Sequence, residues 1–165
     1  MISLKNVLVA TDFSEPSATA MNYARELART FGATLHVVHV VENVYAHSAG
    51  GELGVTDFAP FMQDLETAAR TQLEATVGED DRRELRARTA LLTANSAAVG
   101  IVAHAKDIGA DILVVGTHGR GALSKLLLGS VAEKVVRMAP CPVLTVRHPQ
   151  HEFVLPDALQ KVTHR

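Results

Sequence analysis

The chain has 165 residues, 47% of them apolar and 21% charged, with a formal net charge of -2. This length predicts one domain with a substantial core, and the small net charge excludes a non-specific nucleic-acid binder driven by bulk charge. A single cysteine, Cys141, excludes an internal disulfide, and no apolar run approaches the ~20 residues that a membrane helix needs.

Residues 1–5 lead straight into a strand-like run, without the apolar core and cleavage site of a signal peptide. The expected compartment is the cytoplasm, with no membrane and no nucleic acid among the partners. The run Val7-Leu8-Val9-Ala10 predicts a first strand. Thr11-Asp12-Phe13-Ser14-Glu15-Pro16 then turns into a helix, with Ser14 as cap and Glu15 and Pro16 suited to its first turn. Ala20, Ala24, Leu27, Ala28 and Phe31 recur at the spacing of one helix face, and Gly32 is the expected stop. Residues 34–41 are rich in β-branched side chains and predict a second strand. Residues 42–57, with Gly50, Gly51 and Gly54 and no clear period, predict a long mobile connection.

Phe58, Phe61, Met62, Leu65, Ala69, Leu73 and Val77 predict the inward face of a second helix, ended by Gly78-Glu79-Asp80-Asp81. Residues 85–92 predict a weaker strand, whose interleaved Arg86 and Arg88 suit a sheet edge. Ser96 is the expected cap of a third helix with Ile101, Val102, Ala105 and Ile108 inward and Gly109 as its stop. The apolar run at 111–115 predicts a fourth strand, followed by a glycine-rich loop and a fourth helix from Ser130. Pro140-Cys141-Pro142 introduces a fifth strand at Val143-Leu144-Thr145-Val146. Strands apolar at nearly every position are buried on both faces, so the expected fold is doubly wound α/β. It is a single five-stranded parallel sheet with helices on both faces, and the first and fourth strands are neighbours at its switch point.

Ligands of such sheets bind beyond the carboxyl ends of the strands at that switch point. The loops that meet there are Ala10-Thr11-Asp12 and residues 116–130. Asp12 suits ribose hydroxyls or a phosphate-bound metal, and equally a helix-capping aspartate. Gly116 and Gly119 permit close approach to an anion or simply turn the loop. Gly129 and Ser130 open a helix, where Ser130 serves both as cap and as phosphate donor. Arg120 suits phosphates or plain solvent.

Two common nucleotide motifs fail. No G-x-G-x-x-G follows the first strand. Gly116 and Gly121 have Walker A spacing, but Ala122-Leu123 stand where Lys-Ser/Thr is required.

To about Arg147 the chain resembles the universal stress protein family. Its pattern G-x2-G-x9-G-[ST] is met by Gly116, Gly119, Gly129 and Ser130. Similar stretches include Val9-Ala10-Thr11-Asp12-Phe13-Ser14-Glu15, residues 36–41, Leu127-Leu128-Gly129-Ser130-Val131-Ala132-Glu133, and Ala139-Pro140-Cys141-Pro142-Val143-Leu144. The resemblance implies a Rossmann-like, adenine nucleotide hydrolase-like domain over 1–147 with a C-terminal extension over 148–165. It further implies an ATP site, with Mg²⁺ as companion. Asp12 would contact the ribose and Val40 the adenine, with Ala10 and Thr11 lining base and sugar. Gly116, His118, Gly119, Arg120, Gly129, Ser130 and Val131 would surround sugar and phosphates. Relatives often carry proline at the position of Ala10, and some carry a hydroxyl residue at that of Ala132. A homodimer through Val143–Val146 is implied as well. The function so implied is a stress-response regulator acting through dimer or partner contacts. The alternatives are an interaction module without nucleotide and a weak adenine-nucleotide hydrolase.

Other residues carry less. His36 and His39 are three apart on one strand, so they point to opposite faces and share no metal. His104 has no ligand-type partner at i+4, and no metal site is expected. Cys141 fits a small buried residue better than a redox sensor, and Glu133 with Arg137 makes a surface i,i+4 pair. Ser130 lacks the G-x-S-x-G elbow, and no catalytic residue is assigned.

Overall fold

The structure is a computed structural model and describes residues 1–43, 59–117 and 129–148. Its elements are β1 (Asn6–Ala10), α1 (Glu15–Phe31), β2 (Thr34–Glu42), α2 (Ala59–Thr76), α3 (Glu79–Glu84), β3 (Arg88–Ala94), α4 (Ala97–Asp107), β4 (Ile112–Gly116), α5 (Ser130–Met138) and β5 (Val143–Val146). The five strands lie in the order β3-β2-β1-β4-β5, every neighbouring pair parallel. This is the doubly wound sheet expected from the sequence. The chain winds outward from β1 through β2 to β3 and then returns, so that β4 pairs with β1 from Val7–Ile112 to Val9–Val114.

Alternation within each strand divides the core. Val7, Val9, Leu35, Val37 and Val114 pack with Ala20, Met21, Ala24 and Ala28 of α1 and Leu73 of α2. Leu8, Val38, Leu113 and Val115 pack with Ala98, Ile101 and Ala105 of α4 and Ala132 and Val135 of α5. Both faces of β1 are therefore dry, and the strand reads as a continuous apolar run.

The helices depart from expectation in instructive places. Ser14 does cap α1, accepting from the Ser17 amide, and Gly32 ends it at φ 63. Met21 rather than Phe31 completes the buried face, however, and Phe31 is 40% exposed. An alanine face brings α1 close to the sheet, a flexible methionine fills the remaining gap, and Phe31 falls in the final turn where the helix stops. On α2, Met62, Ala69 and Leu73 are buried while Phe61 and Leu65 are exposed, and Phe58 lies outside the described residues. Gly78-Glu79-Asp80-Asp81 opens a further helix, α3, instead of only ending α2. Three carboxylates in one first turn favour the positive end of a helix dipole.

Ser96 stands at the N-cap of α4 without a side-chain cap bond. The Glu42 carboxylate, at the end of β2, takes the Ala97 amide at 2.7 Å instead. On α4, Ile101 and Ala105 are buried as expected, whereas Val102 and Ile108 are only partly so. The strand expected at 85–92 starts later, as β3 from Arg88, and occupies the predicted edge.

Two histidines link this packing to pH. His36 donates from Nε2 to Asn6 Oδ1 at 3.3 Å and lies beside Arg88 in the β2–β3 register. Burial lowers the pKa of His36 from the ordinary 6.5, and the charges of Arg88 and His104 lower it further. Burial also lowers that of His104, partly opposed by Asp107. Below pH 6.5 the unfolded chain therefore binds more protons than the folded one. Stability is fully present above the unfolded value and falls between it and the folded values. Urea midpoints measured at about pH 7.5 and about pH 5.5 should show this loss, with a smaller difference in a His104→Gln variant.

Candidate functional site

Beyond the carboxyl ends of β1 and β4 lies a cavity of about 380 Å³. That volume falls within the ~300–1,000 Å³ usual for small-ligand pockets. Ala10, Thr11 and Asp12 line it after β1, Val38, His39 and Val40 from β2, and Ala97 and Ile101 from α4. Gly116 and Thr117 follow from β4, and Gly129, Ser130, Val131 and Ala132 close it at the start of α5. The fold thus brings Ala10, Thr11, Asp12, Val40, Gly116, Gly129, Ser130 and Val131 to one cavity. His118, Gly119 and Arg120 lie outside the described residues.

The first loop is built around Asp12. Its Oδ1 accepts from the Ser14 amide at 3.1 Å and from Ser14 Oγ at 2.5 Å, which fixes the carboxylate in an Asx turn. Ser14, not Asp12, is the cap of α1. Thr11 Oγ1 accepts from the Phe13 amide at 3.0 Å and donates to Ser17 Oγ at 3.1 Å, whose own proton goes to the Ser14 carbonyl at 2.8 Å.

The second loop is pinned at its base, where the Gly129 amide donates to the Thr117 carbonyl at 2.6 Å. Gly129 is the N-cap of α5, and Ser130 is the first helical residue. This corrects the expectation that Ser130 caps: the chain is already helical at its position. Gly129 contributes no side chain, so the N-cap residue itself leaves the opening N–H groups of α5 without a side-chain acceptor. The positive end of the helix dipole borders the cavity there.

Two glycines shape the walls by what they omit. A Cβ on Gly116 would lie 3.0 Å from the carbonyl carbon and oxygen of Pro16, in the first turn of α1. Close approach of α1 is thus reason enough for glycine at that position. A Cβ on Gly100 of α4 would lie 3.1 Å from Val40 Cγ1 and 3.3 Å from the Ala94 Cβ. Gly100 sets how far Val40 stands into the cavity, and the sequence offered only an isolated glycine inside a helical pattern.

The sequence pattern of the universal stress protein family matches residues 3–147. The chain belongs to this family. It is 38% identical over 144 residues to the universal stress protein in the QAH/OAS sulfhydrylase 3' region of Thermus aquaticus, covering 87% of this chain and 98% of that one. A solved member of the family from Burkholderia pseudomallei shares 28% identity at a TM-score of 0.67, over 86% of this chain and 95% of that chain. The universal stress protein of Archaeoglobus fulgidus, solved in complex with dAMP, shares 25% at a TM-score of 0.59, over 88% and 99%.

Among the described residues of this universal stress protein, no helix is long and apolar enough to cross a membrane. No group of three or more His, Cys, Asp or Glu gathers there to hold a metal ion. Cys141 is half-buried, and burial together with the Asp111 carboxylate raises its thiol pKa. That disfavours thiolate chemistry and agrees with a structural cysteine. Glu133 and Arg137 meet at 2.9 Å on the exposed side of α5, the i,i+4 pair expected from their spacing.

Proposed function

We propose that this universal stress protein binds an adenine nucleotide, ATP with Mg²⁺, between β1 and β4. Occupancy is then read out by a homodimer or partner surface in a cytoplasmic stress response. The observation that carries this reading is the convergence of two distant loops on one cavity of about 380 Å³. Val40, Ala97 and Ile101 offer a base an apolar wall. Asp12 offers a carboxylate to ribose hydroxyls, and the opening turn of α5 offers N–H groups and positive potential to phosphate. His118, Gly119 and Arg120 belong to the phosphate end in this reading. A Mg²⁺ ion held by the phosphates would neutralise their charge, with the Ser130 hydroxyl beside them as a hard oxygen donor. The dAMP complex of the Archaeoglobus relative supports an adenylate as ligand class. Among the described residues β5 forms a sheet edge whose backbone groups suit pairing with a second copy, which supports the homodimer.

The reading is one of binding: the apolar wall, the Asp12 carboxylate and the opening turn of α5 are groups that hold a nucleotide. It is tested by denaturing purified protein and chromatographing the supernatant for adenine nucleotides. The nucleotide-free protein is then titrated with ATP and Mg²⁺. A bound nucleotide at 100-fold its Kd should add about 2.7 kcal/mol to stability. Asp12→Ala should weaken binding by about tenfold, the worth of a charge-assisted hydrogen bond. Protein that is empty when purified, and whose Tm stays fixed under saturating nucleotide, overturns the reading in favour of an interaction module.

A further inference from the structure

We propose that His39 is a positioning residue of the nucleotide site, holding the Asp12 turn in a backbone conformation that it would not keep alone. The inference rests on the nucleotide reading above and deepens it. His39 Nδ1 lies 2.7 Å from the Thr11 carbonyl oxygen. A carbonyl only accepts, so Nδ1 carries the proton that makes this bond. The same imidazole packs on the Phe13 ring, with centroids 4.4 Å apart and planes at 36°. One side chain from β2 thus grips the residues on both sides of Asp12.

That grip matters because Phe13 sits at φ 64. A bulky side chain there is an outlier, and such conformations persist only where the surroundings over-determine them. Asp12 immediately precedes the strained residue. Its carboxylate direction is set by the turn to Ser14, and that turn spans Phe13 at its positive φ. The sequence placed His39 on the face opposite His36 and found no role for it, because its hydrogen-bond partner lies 28 residues away.

The test is a double-mutant cycle read as Kd for AMP, with Tm measured alongside. His39→Phe keeps a ring and loses the donor, and should weaken AMP about tenfold where Asp12 is present, the loss expected of one hydrogen bond that organises the loop. In an Asp12→Ala background the same change should cost less than about twofold, since the group being positioned is gone. His39→Asn, whose amide nitrogen reaches the Nδ1 position, should recover most of the affinity. Equal losses in both backgrounds, or no loss in either, overturn the positioning role while leaving nucleotide binding intact. Failure of the unaltered protein to bind either AMP or ATP with Mg²⁺ overturns the nucleotide reading and this inference with it; where ATP alone binds, the same cycle is read with ATP. An independent check needs no variant: nitrogen-15 spectra of the free protein should show His39 as the Nδ1–H tautomer, and the Nε2–H tautomer overturns the proposal.

Discussion

Replacing Asp81 with alanine should lower the unfolding free energy by about 3 kcal/mol, the low end of the range for breaking a buried ion pair. Asp81 is 9% exposed and accepts from Arg25 Nε at 3.1 Å and Arg25 Nη2 at 2.9 Å. It also accepts from the Gly78 amide at 3.3 Å. Arg25 Nη2 donates in addition to the Thr76 carbonyl at 2.9 Å. One guanidinium therefore joins α1, the end of α2 and the start of α3. Alanine leaves that guanidinium facing a site with no carboxylate, and the Gly78 amide loses its acceptor. The Arg25 side chain keeps 24% of its exposure. Water therefore relieves part of the penalty, which is why the low end applies. The measurement is urea unfolding, with a lower midpoint and an unchanged m-value. An Arg25→Met/Asp81→Leu double variant should recover most of the loss, because an apolar pair leaves no charge uncompensated. If both variants unfold at the midpoint of the unaltered protein, the bridge contributes nothing.

This bridge also shows where reading the sequence stops. Arg25 and Asp81 are 56 residues apart, and nothing local pairs them. Asp81 instead belonged to a run taken as the end of α2. The strands were legible because burial on both faces demands apolar residues at nearly every position, as at Val7, Leu8 and Val9, all fully buried. The adjacency of β1 and β4 followed, since right-handed crossovers leave few topologies and put the switch point between them. The loops at that switch point could then be named, and the described ones share a cavity. Helix faces were less legible. Their periodicity locates a stripe but not how far the sheet extends beneath it, so Phe61 and Leu65 were expected inside and stand outside. Caps were legible where the partner is local, as for Ser14, and hidden where it comes from another element. Glu42 reaches α4 across 55 residues, and the local serine is left without a cap bond. His39 belongs to the same class: its chemistry is ordinary, and its partner is distant.

Gly116→Val should both destabilise the fold and impair the site, and Gly116→Ala should do the same to a smaller degree. Gly116 has no positive φ, since the positive-φ glycines among the described residues are Gly32 and Gly109. Alanine is thus conformationally allowed at 116. By restricting the unfolded chain it would by itself add about 0.4–1 kcal/mol of stability. Against this stands a Cβ at 3.0 Å from the Pro16 carbonyl carbon and oxygen. The obstructing atoms are backbone in the first turn of a capped helix, so no side-chain rotation relieves them. Overpacking of this kind costs about 1–3 kcal/mol, which exceeds the gain. Valine adds two methyl groups to the same crowded point and belongs at the upper end of that range. Relief requires the start of α1 to move away from the end of β4. The Asp12 turn leads into α1, and Gly116 leads into the loop that returns at Gly129, so this movement separates the two walls of the cavity. Thermal unfolding and nucleotide affinity should therefore fall together, with Gly116→Val the more severe in both. Stability at the unaltered level with affinity lost would instead assign the glycine to direct ligand approach. The two measurements separate close packing of α1 from close passage of a phosphate, which the bare presence of glycine in the sequence does not.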